Sequence, residues 1–105
     1  MRYLYIDDER TPKTDLPWDI ARSFEDATNF IRENDVPDYI SFDHDLGTAL
    51  SGFDIAKWLV EQDLDGTINI PKNFQYNVHS ANPVGAKNIQ CLLDSYMNYK
   101  NDIWG

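Results

Sequence analysis

Three short stretches of the chain concentrate side chains able to bind cations or move protons: Asp7-Asp8-Glu9-Arg10, Asp43-His44-Asp45 and His79-Ser80-Ala81-Asn82. Asp7, Asp8 and Asp43 form one acidic cluster if the segments that end on them are neighbours. Carboxylates within a few ångström of each other repel, and a cation offsets that repulsion. Mg2+, or another divalent cation, suits such a site: it takes oxygen ligands, keeps several waters and completes its shell with a phosphate oxygen. The plainer reading of these acids is turn formation and helix capping, and Asp45 in particular reads as a loop cap.

His44 and His79 are the only histidines. Imidazole titrates near neutrality and can pass a proton to or from a phosphoester oxygen, with Asp43 or Asp45 holding the tautomer. A histidine beside a buried strand is also a common structural residue. Ser80 can donate to a phosphate. Asn82 lies beside it, at the start of a helix whose free amides face the same region. Arg10 offers a planar fork that fits a phosphate. Equally, Ser80 and Asn82 can be only a helix cap, and Arg10 a solvated arginine. Trp18, Trp58 and Trp104 read as core or edge packing, with base stacking as the functional alternative.

Short strands and helices must position these groups. Tyr3 to Ile6 and Tyr39 to Phe42 are apolar runs suited to strands buried on both faces, and Phe74 to Val78 is a third strand. Asp19 to Arg22 reads as a further short strand. Residues 9–18 hold two prolines and read as loop. Ser23 and Asp26 mark a capping box for a helix that ends before Pro37. A second helix spans about Phe53 to Leu64 and closes at Gly66. Asn82-Pro83 starts a third, with Ile89, Leu92, Leu93, Tyr96 and Met97 on one face. The tail, Ile103-Trp104-Gly105, is left unassigned. Alternating strands and helices define a small three-layer α/β domain with a mostly parallel sheet of about four strands. In such sheets the ligand site lies at the carboxyl ends of the strands, where all three polar stretches fall.

Composition narrows the function classes. Nine basic against 18 acidic residues give a net charge of −9, which repels nucleic-acid backbones and anionic membranes and excludes non-specific binding to either. A length of 105 residues fits one domain, over residues 1–105. The single cysteine, Cys91, allows no internal disulfide and reads as a small core residue. Met1 to Ile6 meets Asp7 too early for a signal peptide and no apolar run approaches a membrane span, so a soluble cytoplasmic protein is expected.

Tyr3-Leu4-Tyr5-Ile6-Asp7-Asp8-Glu9 resembles the first strand of a response-regulator receiver domain with its acidic pair. Pro37 to Asp43 resembles the third receiver strand, with Asp43 in the place of the phosphoacceptor. Gly52-Phe53-Asp54-Ile55 matches the opening of the next helix, and Val78-His79-Ser80-Ala81 resembles the fourth strand, with Ser80 in the place of the switch hydroxyl. The chain departs from receivers in three ways: no fifth strand supplies a lysine, the first receiver helix is missing, and the two histidines are not receiver residues. Asp-Asp-Glu-Arg, Asp-His-Asp-Leu-Gly and His-Ser-Ala-Asn together are similar to the divergent cyclic-phosphate-processing receiver domains. That resemblance implies a flavodoxin-like fold and activity on a cyclic phosphate.

The leading expectation is metal-dependent processing of a phosphoester, a cyclic phosphate on a nucleotide or RNA end among the candidates. Asp7, Asp8 and Asp43 would hold the cation, His44, His79 and Asp43 would do the chemistry, and Arg10, Ser80 and Asn82 would contact substrate. The ligand is then a phosphorylated small molecule or nucleotide. The alternatives are a signalling receiver phosphorylated on Asp43 and a non-catalytic nucleotide-binding or inhibitor protein.

Overall fold

The alternation of Leu4 and Ile6 with Tyr3 and Tyr5 sets the side-chain parity of the first strand, and the rest of the sheet follows it. The computed structural model describes residues 1–104; Gly105 and the Trp104 side chain lie outside the described residues, so the expectation for that indole does too. The elements are β1 (Tyr3–Ile6), β2 (Trp18–Ala21), α1 (Phe24–Asn34), β3 (Tyr39–Phe42), α2 (Gly52–Asp65), β4 (Gln75–Val78) and α3 (Pro83–Trp104). The strands form one parallel sheet in the order β2-β1-β3-β4. Tyr3 lies opposite both Trp18 and Tyr39, and Ile6 opposite Ala21 and Phe42.

One core holds the domain together. Leu4, Ile6, Ile40 and Phe42 from the central strands meet Ala27 and Ile31 of α1, Ile55 and Leu59 of α2, and Ile89 and Leu93 of α3. Each such Leu or Ile, taken fully out of water, contributes roughly 1.5–3 kcal/mol. The helices start where the sequence places them. Ser23 accepts a hydrogen bond from the Asp26 amide at 3.1 Å, and Asn82 Oδ1 one from the Gly85 amide at 3.0 Å. The Asp54 carboxylate accepts from the Ser51 amide at 2.7 Å, which brings the α2 start back to Gly52. The α3 stripe also forms as expected, with Ile89, Leu93, Tyr96 and Met97 buried. The same helix takes in the unassigned tail through Trp104.

The domain is α/β and receiver-like, but its layering differs from expectation. The links β2-α1-β3 and β3-α2-β4 advance the same way across the sheet, so right-handed crossovers set both helices on one face. α3 packs against α2 and shares its core. The link from β1 to β2 runs the opposite way and therefore crosses the other face. It is the loop of residues 7–17, carrying Pro12 and Pro17, too short and too proline-interrupted for a covering helix. Among the described residues there are thus two layers of regular structure instead of three. The open face displays Tyr3, Tyr5, Trp18 and Tyr39.

Two smaller expectations also change. Strand β2 begins one residue early, at Trp18, whose ring packs 5.4–5.8 Å from those of Tyr3, Tyr5 and Tyr39. Cys91, expected in the core, is exposed, because it falls off the Ile89–Leu93 stripe of α3. No helix among the described residues is long and apolar enough to cross a membrane.

Candidate functional site

Ile6, Phe42 and Val78 end three neighbouring strands in register. The next residue on each strand is Asp7, Asp43 and His79, so these three form a row one step beyond the sheet. Their amides still belong to the ladder: Asp7 N–H donates to Ala21 O, Asp43 N–H to Ile6 O and His79 N–H to Phe42 O, at 2.9–3.1 Å. One ligand atom from each of the three lies within 4.8 Å of the others. Asp8, His44 and Ser80 form the next row.

Asp7 is the hub of the site. Its Oδ1 accepts the backbone amides of Glu9 at 2.9 Å and Arg10 at 2.8 Å, folding the chain back into a tight turn. Its Oδ2 accepts Arg10 Nε at 2.9 Å and His79 Nε2 at 3.0 Å. Burial pushes this carboxyl up, but the two amides, the imidazole and the guanidinium outweigh it and hold the group at about 2. It is therefore an anion at neutral pH. Arg10 also places Nη2 3.5 Å from Asp43 Oδ2, so its guanidinium bridges the two buried acids while half the side chain remains exposed. Arg22 braces the turn, donating through Nη1 to the carbonyls of Asp7 at 3.2 Å and Arg10 at 2.7 Å.

His79 is held on three sides. Ser41 Oγ lies 2.7 Å from Nδ1, Asp7 lies at Nε2, and the ring stacks on Tyr5 with centroids 4.4 Å apart and planes 6° apart. An ionised carboxylate can only accept, so Nε2 carries a proton. In the neutral ring, Nδ1 then accepts from the Ser41 hydroxyl. Ser41, His79 and Asp7 make a continuous hydrogen-bonded chain, and Ser41 is a residue that the sequence reading missed. The available signal was its polarity inside an apolar strand.

A cavity of about 380 Å3 opens over Asp7, Asp8, Asp43, Asp45, Arg10 and Ser80. Asp7, Asp8 and Asp43 thus line one cavity with Arg10 and Ser80, although the set whose ligand atoms lie within 4.8 Å of one another is Asp7, Asp43 and His79, without Asp8. Ser80 Oγ accepts from the Asn82 amide at 3.0 Å, and Asn82 Oδ1 is committed to capping α3. His44 stands elsewhere. It falls one step past Asp43, and strand parity turns it toward the helices. There its ring packs against Gly85, where even a methyl group would collide with it, and its Nδ1 meets Asp45 at 3.0 Å. His44 does not line the acidic cavity, and His79 reaches that cavity only through Asp7. Gly52 serves the same end of the sheet, since a side chain there would strike the Asp43 carbonyl.

Among known families, residues 2–95 match the cyclic-phosphate processing receiver domain. The chain belongs to that family. No curated protein matches it in sequence. Among solved structures, a chain described as the yeast Spc42 trimeric coiled coil, amino acids 181–211, in a fusion superposes with a TM-score of 0.57 at 14% identity. The alignment covers 97% of this chain and 78% of that one, a likeness of fold alone. Against the receiver pattern, this family member carries the acidic pair, Asp43 and the Ser80 hydroxyl. Where a receiver uses a lysine from a fifth strand, the cation touching its buried acids is Arg10, from the turn after β1. Lys100, on α3, is committed to Asp63 at 3.0 Å.

Proposed function

We propose that this chain opens or hydrolyses a cyclic phosphodiester on a small molecule or nucleotide. The observation that carries this reading is the row of Asp7, Asp43 and His79 at the carboxyl edge of the sheet, with Asp7 and Asp43 opening into the acidic cavity beneath the half-exposed Arg10 guanidinium and His79 bonded to Asp7 from behind. The free face of Arg10 and the Ser80 hydroxyl supply positive or donor groups for the oxygens of a monoanionic cyclic phosphate. His79 is a proton carrier through Nδ1, which faces the Ser41 hydroxyl, while ionised Asp7 fixes the ring at Nε2. Opening the ring adds water to phosphorus, breaks one ester P–O bond and delivers a proton to the departing oxygen.

The donor set also fits a hard divalent cation such as Mg2+. Asp8 and Asp43 would hold it, joined by Asp7 on withdrawal of Arg10, because all four hydrogen bonds that Asp7 now accepts leave it no free lone pair. Bound there, the ion would polarise the phosphoryl oxygens. The test is turnover of nucleoside 2′,3′- and 3′,5′-cyclic phosphates, with and without Mg2+, read by phosphorus NMR. Ring opening that is lost in Asp43→Asn and His79→Ala supports the reading, and intact cyclic phosphate after long incubation at high protein concentration refutes it.

A further inference from the structure

The sheet face without helices carries a groove of about 340 Å3, walled by Tyr3, Tyr5, Trp18 and Tyr39 and by Pro12 and Leu16 of the crossing loop. Register explains the walls. Tyr3 lies opposite Trp18 and Tyr39 on the same side of the sheet, and the row of Tyr5, Ser41 and Asn77 runs beside it. Nearby, Leu16 is 45% and Ile20 42% exposed. Aromatic side chains gathered on one open face, outside the core, mark an interaction site. The volume and lining, apolar with few polar groups, are those of a small-ligand pocket.

Three observations specify the occupant. Four aromatic rings dominate the walls, with Lys13 the one lysine or arginine in the lining, and a planar heterocycle is the ligand that such rings contact without a charge requirement. A lining with one lysine and no acid admits a neutral or anionic ligand, and the net charge of −9 argues against a second copy of this acidic chain. The amide of Asn77 is exposed in the groove, with a donor and an acceptor matching the edge of a base. Finally, the groove and the acidic cavity are separated by one imidazole. His79 lines the groove, stacks on its wall residue Tyr5, and bonds through Nε2 to Asp7 in the cavity.

We infer that the groove binds the base of a nucleoside whose phosphate lies in the acidic cavity, so that the substrates are nucleoside cyclic phosphates rather than cyclic phosphates of sugars or polyols. This rests on the phosphoester reading given above. The ribose would then lie across His79, between its two partners.

Two titrations test it. In the first, adenosine and uridine are titrated into the full chain, with ribose as control, followed by amide NMR and indole fluorescence. The expected result is that a nucleoside shifts Tyr3, Trp18, Tyr39 and Asn77 and ribose does not. Tyr3→Ala and Asn77→Leu should each weaken binding, Tyr3→Ala by about 10- to 100-fold, the usual worth of one stacked base. Both variants are checked for native amide spectra. In the second, an adenosine 2′,3′-cyclic phosphate is compared with the same cyclic phosphate on ribose lacking a base, and at least tenfold tighter binding of the nucleotide is expected. If both cyclic phosphates are opened alike and nucleosides leave the groove unshifted, the base groove is refuted and the phosphoester reading survives. If nucleosides shift the groove but no cyclic phosphate is turned over, the groove stands as a base site and the enzymatic reading falls. Groove shifts that depend on protein concentration and not on nucleoside assign the face to self-association and overturn the inference.

Discussion

Replacing Arg10 by Met removes the one cation that touches both buried acids while keeping most of the side-chain length. Arg10 lies 2.9 Å from Asp7 Oδ2 and 3.5 Å from Asp43 Oδ2. At an effective dielectric near 20, a unit pair at the longer distance is worth at most about 5 kcal/mol. With 52% of the arginine side chain in solvent, screening and side-chain entropy reduce the net to about 1–2 kcal/mol. For a domain of this size that corresponds to a fall in melting temperature of roughly 5–15 °C. The same change leaves Asp7 and Asp43 facing each other without a counter-charge. A divalent cation should then bind about tenfold more tightly than to the wild type, a gain of about 1.4 kcal/mol. Millimolar Mg2+ should accordingly restore most of the lost melting temperature. Calorimetric melting and Mg2+ titration of wild type, Arg10→Met and Arg10→Lys measure both effects. A variant that melts with the wild type, or binds Mg2+ no more tightly, would show that Arg10 does not stand in for a cation there.

Asp7 should make stability pH-dependent in acid. Its carboxyl is held at about 2 against an ordinary 3.8, so its contribution is complete above about pH 4 and is lost as pH falls toward 2, roughly 1–2 kcal/mol after allowance for solvent. Asp7→Asn should flatten that limb of a urea-denaturation series, and an unchanged acid limb would contradict the assignment. Ser41→Ala should cost about 1–2 kcal/mol by leaving His79 Nδ1 without its donor; nitrogen NMR of the ring should show a shifted Nδ1 resonance with the proton still on Nε2, where Asp7 holds it. Lys100→Met should destabilise the chain by about 2 kcal/mol or more, because Lys100 Nζ is tied to Asp63 and to the Ile70 carbonyl at 2.8 Å, both largely out of water. Denaturant midpoints decide this, and Asp63→Asn with Lys100→Met should recover part of the loss.

The site was legible from its strand ends. Apolar runs stopping at Asp7, Asp43 and His79 place those three in one row once the sheet is parallel and in register, and Asn82-Pro83 announced α3. The histidine pair was less legible. His79 is one residue past its strand and His44 two past its own, so parity sends one to the open face and the other to the helices. Counting from the strand ends would have separated them. Two features needed coordinates. The bridging position of Arg10 depends on the Asp7 carboxylate turning the chain back on itself, and the role of Ser41 depends on where an imidazole on a strand 38 residues away comes to rest. The layer count failed because the sequence showed that no helix follows β1 without showing that nothing else would cover that face.

The amides of Asp7, Asp43 and His79 are the final rungs of three parallel ladders, which ties the timing of the site to the fraying of the sheet. Strand ends open at a small fraction of the free energy of global unfolding. Each opening breaks the alignment of the row before any core side chain moves. The apoprotein should therefore exchange these three amide hydrogens faster than those of Leu4, Ile6 or Ile40. A ligand that spans Asp43 and His79 joins neighbouring strands where they are least constrained. Slowed exchange at all three positions together, with the strand centres unchanged, would be the signature of an occupied site and needs no knowledge of the ligand's chemistry.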